Sequence, residues 1–355
     1  MVRNAQPACD FMTGLYNRSY FEAQLAALSK TANTLGIIYC DIDLLKFSND
    51  VLGITQGDIL IQNAAQVIKS VVPKEMLIAR IGGDEFAVLL ANVTNDKIEK
   101  ITSDIRSAVD AQITDEAKHI FSMAVGCSFQ CQPAVDGYQL FVEAECDMYH
   151  HKVLQSKQVR DRILPWLFKE LHLRGISGHG HGRRAQHITH SLGIKLNFTE
   201  TRLEHLIMAA HFHDIGKIKV PPQILYKPDK LDEHEIHIIR WHSESGYRIA
   251  LSIPYLAPVA DWILKHHERW DGSGYPFGLK GEEIPVESQI IAIADTFDAI
   301  TNDRSYRLGA TAEAAIQEIK KAAGSQFDPH LVELFLEMYH ENPDTLLFDK
   351  PITQV

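Results

Sequence analysis

The chain has 355 residues, 45% of them hydrophobic and 23% charged, with a formal net charge of −11 at pH 7. That length predicts two or three domains rather than one core, and the acidic balance argues against a general nucleic-acid binder, because phosphate backbones reward net positive charge. No apolar run approaches the length of a membrane span and the opening MVRNAQPACDF has no signal-peptide-like segment, so the expectation is a cytoplasmic protein without a membrane partner.

Cys9, Cys40, Cys127, Cys131 and Cys146 lack metal-finger spacing and read as reduced thiols. Histidine is distributed the other way: His119, His150 and His151 precede residue 153, and the other 15 follow it. Two halves of different chemistry are expected, an N-terminal α/β domain over 1–158 and an all-α domain over 159–355.

In the first half TLGIIYCDID, residues 34–43, is an apolar, β-branched run ending in acids, which predicts a buried strand delivering Asp41 and Asp43 at its C-terminal end. MLIARIGGDEFAVLL, residues 76–90, is two strand-like runs around Gly82 and Gly83, a hairpin signal. Helical patterns such as IQNAAQVIKSVV flank these strands, so an α/β sandwich follows. A hard cation such as magnesium takes carboxylate and substrate-phosphate oxygens, and Asp41 with Asp84 offers such a carboxylate pair.

DFMTGLYNR at 10–18, DIDLLKFSND at 41–50, QGD at 56–58 and RIGGDEF at 80–86 occur in order, and over roughly residues 9–158 the chain resembles the GGDEF, or diguanylate cyclase, family. The resemblance implies that Asp41 and Asp84 hold magnesium, Asn49 and Asp58 read the guanine of GTP, and Lys46 and Lys152 meet the triphosphate. Several positions depart from the family pattern: Ile54 stands where a histidine is expected, Ser156 where a phosphate-binding arginine is expected, HKVLQSK replaces the AKxxGRN segment, and PKEM at 73–76 replaces the inhibitory RxxD. Loss of a cationic phosphate clamp removes charge-assisted hydrogen bonds, which are among the strong ones. The expectation is a degenerate or regulatory domain that binds GTP, forms a homodimer or meets other GGDEF proteins; a second active cyclase site is the alternative.

The second half is helical in pattern almost throughout. From Thr201 the apolar stripe Leu203, Leu206, Ile207, Ala210 continues onto His213 and Asp214, and Ile239, His242, Gly246 and Ile249 share a face by the three-and-four rule. Leu256, Ala260 and Ile263 lead to His267, with His266 on the adjoining edge; His181 lies in line with Ala185, Ile188 and Leu192, and Asp295 follows Ile291 by one turn. Each polar group taken from water without a partner costs about 1–3 kcal/mol. A shared metal centre would satisfy all seven. One partition gives His181, His213, Asp214 and Asp295 to one ion and Asp214, His242, His266 and His267 to another. Nitrogen-rich ligation without thiolate suits iron or manganese, with zinc, nickel or cobalt able to compete.

HGHGRRA at 179–185, HFHDIGKIKVPPQILYKPDKL at 211–231, HHERWDGSGYPFGLKGEEIP at 266–285, AIADTFDAITNDRSYR at 292–307 and FDP at 327–329 carry a second resemblance, to the HD-GYP family of HD phosphohydrolases. It implies an all-α HD bundle that hydrolyses a cyclic dinucleotide, chiefly cyclic di-GMP, to linear pGpG and onward to GMP, with a hybrid cyclic GMP-AMP as the competing substrate. Ser177 replaces the glutamate of members holding a third metal, so two ions are expected. Divalent ions make water nucleophilic near neutral pH. Lys217, three residues after Asp214, faces the same pocket if the helix persists through Gly216, and so joins Asp214 as a catalytic residue. Arg304 and Arg307 form a cationic pair for substrate phosphates, Asp298 touches substrate or orients a ligand, and Tyr275 stacks on a base or packs. Glu268 and Asp271 are expected to accept hydrogen bonds from ligand imidazoles. His179 and His211 are read as neighbours of the centre or surface residues. A non-enzymatic signalling scaffold is the remaining alternative.

Overall fold

The computed structural model describes residues 9–112, 121–131, 136–174, 176, 181–301 and 309–341, with the backbone alone at 181–184. The chain divides into two compact units, Met1–Trp166 and Leu167–Val355.

The first unit runs β1 (Tyr16–Asn17), α1 (Arg18–Thr31), β2 (Thr34–Ile42), α2 (Leu45–Leu52), α3 (Ile54–Val71), β3 (Leu77–Arg80), β4 (Glu85–Ala91), α4 (Asn95–Asp110), β5 (Met123–Cys131) and the long α5 (Gly137–Leu173), which passes through the unit boundary. The sheet order is β1-β3-β4-β2-β5, with β1 parallel to β3 and the other pairs antiparallel. Alternation along β2 fills both faces. Ile38, Cys40 and Ile42 pack with Leu60, Ala64 and Ile68 of α3 and Ile98 and Ile105 of α4. Leu35, Ile37 and Tyr39 pack with Phe21 and Leu25 of α1 and Leu140 and Ala144 of α5. A sheet with both faces covered reads as a continuous apolar run, as TLGIIYC does. The β3–β4 hairpin turns at Ile81–Asp84, where Gly82 N–H and Ile81 N–H both donate to the Glu85 carbonyl.

The second unit is helical: α6 (His181–Lys195), α7 (Glu200–Phe212), a 3₁₀ turn (Ile215–Lys219), α8 (Pro222–Leu225), α9 (Glu233–Arg240), α10 (His242–Ser252), α11 (Ala260–Lys265), α12 (Val286–Thr301), α13 (Ala312–Lys321) and α14 (Pro329–Glu341). Its core gathers one apolar stripe from each principal helix, with Ile188 and Leu192, Leu206 and Ala210, Ile249, Ile263, Ile293 and Phe297, and Phe335 all buried. Asp232 and Glu235 form a reciprocal capping box that starts α9. Two departures from the sequence pattern matter. The helix carrying His213 stops at Phe212, and Gly216 lies in the 3₁₀ turn. The stripe through Ile239 and His242 spans two helices that meet at Trp241. Gly216 lies between them in close contact: a Cβ there would lie 1.9 Å from the His242 carbonyl oxygen, so only glycine lets the 3₁₀ turn and α10 come this close. No helix among the described residues is long and apolar enough to cross a membrane.

Candidate metal centre

The ends of α7, α10 and α11 converge in the second unit. Ligand atoms of Asp214, His242, His266 and His267 lie within 4.8 Å of one another. Asp214 is 8% exposed, and His242 and His266 are each 1% exposed. His242 Nε2 stands 3.3 Å from Asp214 Oδ1 and 3.4 Å from His266 Nε2. His213 Nε2 lies 3.5 Å from Asp214 Oδ2 and 3.6 Å from Asp295 Oδ1, so α7 and α12 bring a second histidine and a second carboxylate to the same place. The structure therefore gathers six of the seven expected ligands. The seventh, His181, begins α6, and its side chain lies outside the described residues, as do Arg304, Arg307, Ser177 and His179.

Three imidazoles are held in the same way. Nδ1 of His213, His242 and His266 meets the carbonyl oxygens of Ala210, Ile239 and Ile263 at 2.8, 2.6 and 2.6 Å, each three residues upstream. A carbonyl can only accept, so each Nδ1 carries the proton and, in the neutral ring, each Nε2 presents a lone pair to the cluster. The sequence reading assigned this orienting task to Glu268 and Asp271, and that is corrected here. Glu268 instead accepts from the main-chain N–H of Phe277 (2.7 Å) and Leu279 (2.9 Å), pinning the loop after His267, while the exposed Asp271 accepts from Ser273. His211 meets Gln186 and packs edge-on against Phe168.

Electrostatics favour cations. Burial works against ionisation of Asp214, but Lys217, His213, His242 and His266 outweigh it and hold the carboxyl well below the usual range. Burial also opposes charge on His213, yet Asp214 and Asp295 raise its pKa to about 9. Burial keeps His242 neutral, lowered to about 4, and burial with the neighbouring His242 lowers His267 to about 3; His266 moves the same way. No hydrogen bond reaches the buried Asp214 Oδ1 among the described residues. Lone pairs converging on a buried, ionised carboxylate fit divalent metal ions, which would satisfy this oxygen and the imidazoles together.

Lys217 reaches the cluster by a different route from the one expected, since the 3₁₀ turn puts its Nζ 2.5 Å from Asp214 Oδ2. The Tyr275 ring stacks on His267, with centroids 4.8 Å apart and planes at 29°. Gly274 permits this, because a Cβ there would sit 2.4 Å from the Arg269 nitrogen. Asp298 is buried on α12. His266 is the more buried of the adjacent pair, reversing the expected stripe and edge. Sequence reasoning missed the three carbonyl acceptors, Gly216, and two arginines near the cluster, Arg240 and Arg269. Neither the carbonyls, which every residue type carries, nor the arginines had a signal in the sequence.

In the first unit Asp41 and Asp43 are buried at the end of β2 beside the Asp84 turn, whose carbonyl accepts from Ile42 N–H at 3.0 Å. Lys152 of α5 pairs with Asp41 and lies 3.8 Å from Asp43, which also accepts from Ser122 Oγ at 2.8 Å. Burial, reinforced by the Asp84 and Asp43 charges, raises the Asp41 pKa to about 6 against the pull of Lys152. Asn49 Oδ1 is buried against Gly57, where a Cβ would come within 1.9 Å of it. Asp58 is half-buried on α3; Lys46 is exposed on α2 and makes no ion pair among the described residues. Ile54, in the position expected for histidine, is 74% exposed.

Comparison with known families agrees with this division. Residues 168–331 match the HD domain family, and residues 8–158 match the diguanylate cyclase GGDEF domain family. The chain thus belongs to the proteins in which a GGDEF domain is followed by an HD-superfamily domain of the HD-GYP type. It is similar to the cyclic di-GMP phosphodiesterase of Thermotoga maritima, 38% identical over 179 residues, which are 50% of this chain and 49% of that protein. It is also similar to the cyclic di-GMP phosphodiesterase response regulator RpfG of Xanthomonas campestris, 39% identical over 155 residues, 43% of this chain and 41% of that one. The 3′3′-cGAMP-specific phosphodiesterase 2 of Vibrio cholerae is 44% identical over 144 residues, 40% of this chain and 28% of that one. The chain therefore spans half or less of the length of these relatives.

Proposed function

We propose that this protein is a metal-dependent cyclic dinucleotide phosphodiesterase that cleaves cyclic di-GMP to linear pGpG and onward to GMP at a pair of divalent cations. The observation that carries the reading is the convergence of Asp214, His242, His266 and His267 within 4.8 Å, with the Nδ1 atoms of His242 and His266 committed to carbonyls. These four would hold one ion and His181, His213, Asp214 and Asp295 the other, with Asp214 shared; iron or manganese suits the donor set best. When bound, the metals supply Lewis acidity at the phosphoryl group and water made nucleophilic near neutral pH.

The chain's own residues do the rest. Lys217 keeps Asp214 ionised and turns an ammonium toward the place where phosphate charge would lie. Tyr275 holds His267 by stacking. Arg304 and Arg307 bind substrate phosphates, and Asp298 orients them or a ligand. The relative from Vibrio cholerae named for 3′3′-cGAMP gives a second reading, hydrolysis of the hybrid dinucleotide. The GGDEF domain serves regulation, binding GTP with magnesium through Asp41, Asp84, Asn49, Asp58, Lys46 and Lys152, or pairing with itself or other GGDEF proteins. We place the domain boundary at residues 158 and 159. Metal analysis of the purified protein together with hydrolysis of cyclic di-GMP and 3′3′-cGAMP tests the proposal. Metal bound in stoichiometric amount and cleavage lost in Asp214→Ala are expected; cleavage by that variant at the parent rate refutes the centre.

A further inference from the structure

We infer that Arg240 and Arg269 form a second cationic arm of the metal-centre cavity, one that receives the phosphate of a cyclic dinucleotide that is not being cut. The inference rests on the phosphodiesterase reading and adds two substrate-binding residues to it. The cavity beside the cluster has a volume of about 190 Å³ and is lined by His266, His267, Asp295, Tyr275, Arg240 and Arg269. Small-molecule sites usually begin near roughly 300 Å³, so this recess accepts a part of a dinucleotide rather than the whole. Its walls say which part. Two guanidinium groups in a protein of net charge −11 line the cavity that also carries His266 and His267.

Arg269 is prepared for an anion. Its Nε donates to Ser273 Oγ at 3.0 Å and makes a long ion pair with Asp271 Oδ1 at 4.0 Å, and its Nη1 donates to Gln326 Oε1 at 2.8 Å. The guanidinium plane is thereby fixed, and Nη2 makes no hydrogen bond among the described residues. A planar fork held along one edge by Ser273, Gln326 and a long ion pair turns its other nitrogen outward for a phosphate and loses little freedom on binding it. Arg240 ends α9 two residues before His242, is exposed, and lies with its Cζ 5.2 Å from the Tyr275 ring centroid. It makes no ion pair among the described residues, so its position is set by the ring that itself stacks on His267. A cyclic dinucleotide carries two phosphates, and the ions would engage the one under attack. The other would lie near the same opening, where Arg240 and Arg269 line the wall and would add to the charge of Arg304 and Arg307.

The test uses the whole 355-residue chain. Equilibrium binding of cyclic di-GMP to metal-free protein is measured by calorimetry for the parent, Arg240→Ala and Arg240→Lys. Loss of a charge-assisted contact predicts affinity about 10- to 100-fold weaker in Arg240→Ala, partly restored by lysine. Arg269→Lys, which keeps a cation but cannot hold Ser273 and Gln326 together, should fall between. With metal-loaded protein, the KM penalty of Arg240→Ala should be at least tenfold greater for cyclic di-GMP than for bis(p-nitrophenyl) phosphate, which has a single phosphate. Equal affinity of parent and Arg240→Ala, no binding by the parent, or equal penalties on both diesters overturns the inference. A parent that binds cyclic di-GMP through Arg240 but cleaves neither diester leaves this inference standing and removes the hydrolytic reading instead.

Discussion

Both units bury carboxylates at the end of a secondary-structure element, but they settle the charge differently. Asp41 and Asp43 share Lys152, a cation from the chain itself, and Asp41 is still pushed up to about 6 because burial, reinforced by the Asp84 and Asp43 charges, outweighs the lysine. Asp214 is surrounded by Lys217 and by imidazoles whose lone pairs point inward, and it is held ionised. In the first unit the counter-charge is the Lys152 ammonium, already paired with Asp41. In the second, Lys217 pairs with Asp214, and the Nε2 atoms of His213 and His242 stand 3.3 to 3.6 Å from carboxylate oxygens. Acid clustering alone therefore does not tell the two clusters apart; the imidazoles gathered around Asp214 do.

The contrast can be broken or sharpened by experiment. Asp214→Ala should abolish metal retention and lower hydrolysis by about a thousandfold or more, equivalent to at least about 4 kcal/mol of barrier, as read by metal analysis and product chromatography. Gly216→Ala forces a Cβ to within 1.9 Å of the His242 carbonyl, so denaturant unfolding should show a loss of about 2–3 kcal/mol together with weaker metal binding.

The next effect is on pH. His213, with its pKa raised to about 9, must give up a proton to ligate, whereas His242 and His267, lowered to about 4 and 3, are already neutral at pH 7. Metal affinity should then rise with pH by up to about tenfold per unit below pH 9 and level off above it; titrations at pH 6 to 9 that give a flat profile would remove His213 from the ligand set. The smallest effect belongs to the first unit. The folded pKa of Asp41 is raised above the ordinary carboxylate value, so folding takes up a proton: its ionised form costs stability above about pH 6, and the cost disappears as pH falls through the ordinary carboxylate range. Asp41→Asn should therefore stabilise this unit by about 1–2 kcal/mol at pH 7 without magnesium, measured by thermal unfolding, while magnesium should stabilise the parent and not the variant.

Much of this was legible in the residues. The runs TLGIIYC and EFAVLLA, apolar because the sheet is covered on both faces, announced β2 and β4, and paired glycines announced the turn between β3 and β4. Helical spacing put His213, Asp214, His242 and Asp295 inward, since burial leaves few other places for a polar residue on an apolar stripe. What spacing could not carry was the local chain path. The end of α7 at Phe212 and the break at Trp241 lie on either side of the close approach of Gly216 to α10, a contact between residues 26 apart in sequence that no periodicity encodes. The actual partner of Glu268 was hidden for a similar reason, because the carboxylate turns toward the backbone of its own loop.

The acceptors behind His213, His242 and His266 have an unexpected implication for variation. Carbonyl oxygens belong to every residue type, so exchanging Ala210, Ile239 or Ile263 for another helix-compatible apolar residue leaves each ring's tautomer as it was. Unlike centres whose histidines lean on partner carboxylates, these three rings inherit their orientation from helical geometry, and only an unwinding of the turn beneath them would release it.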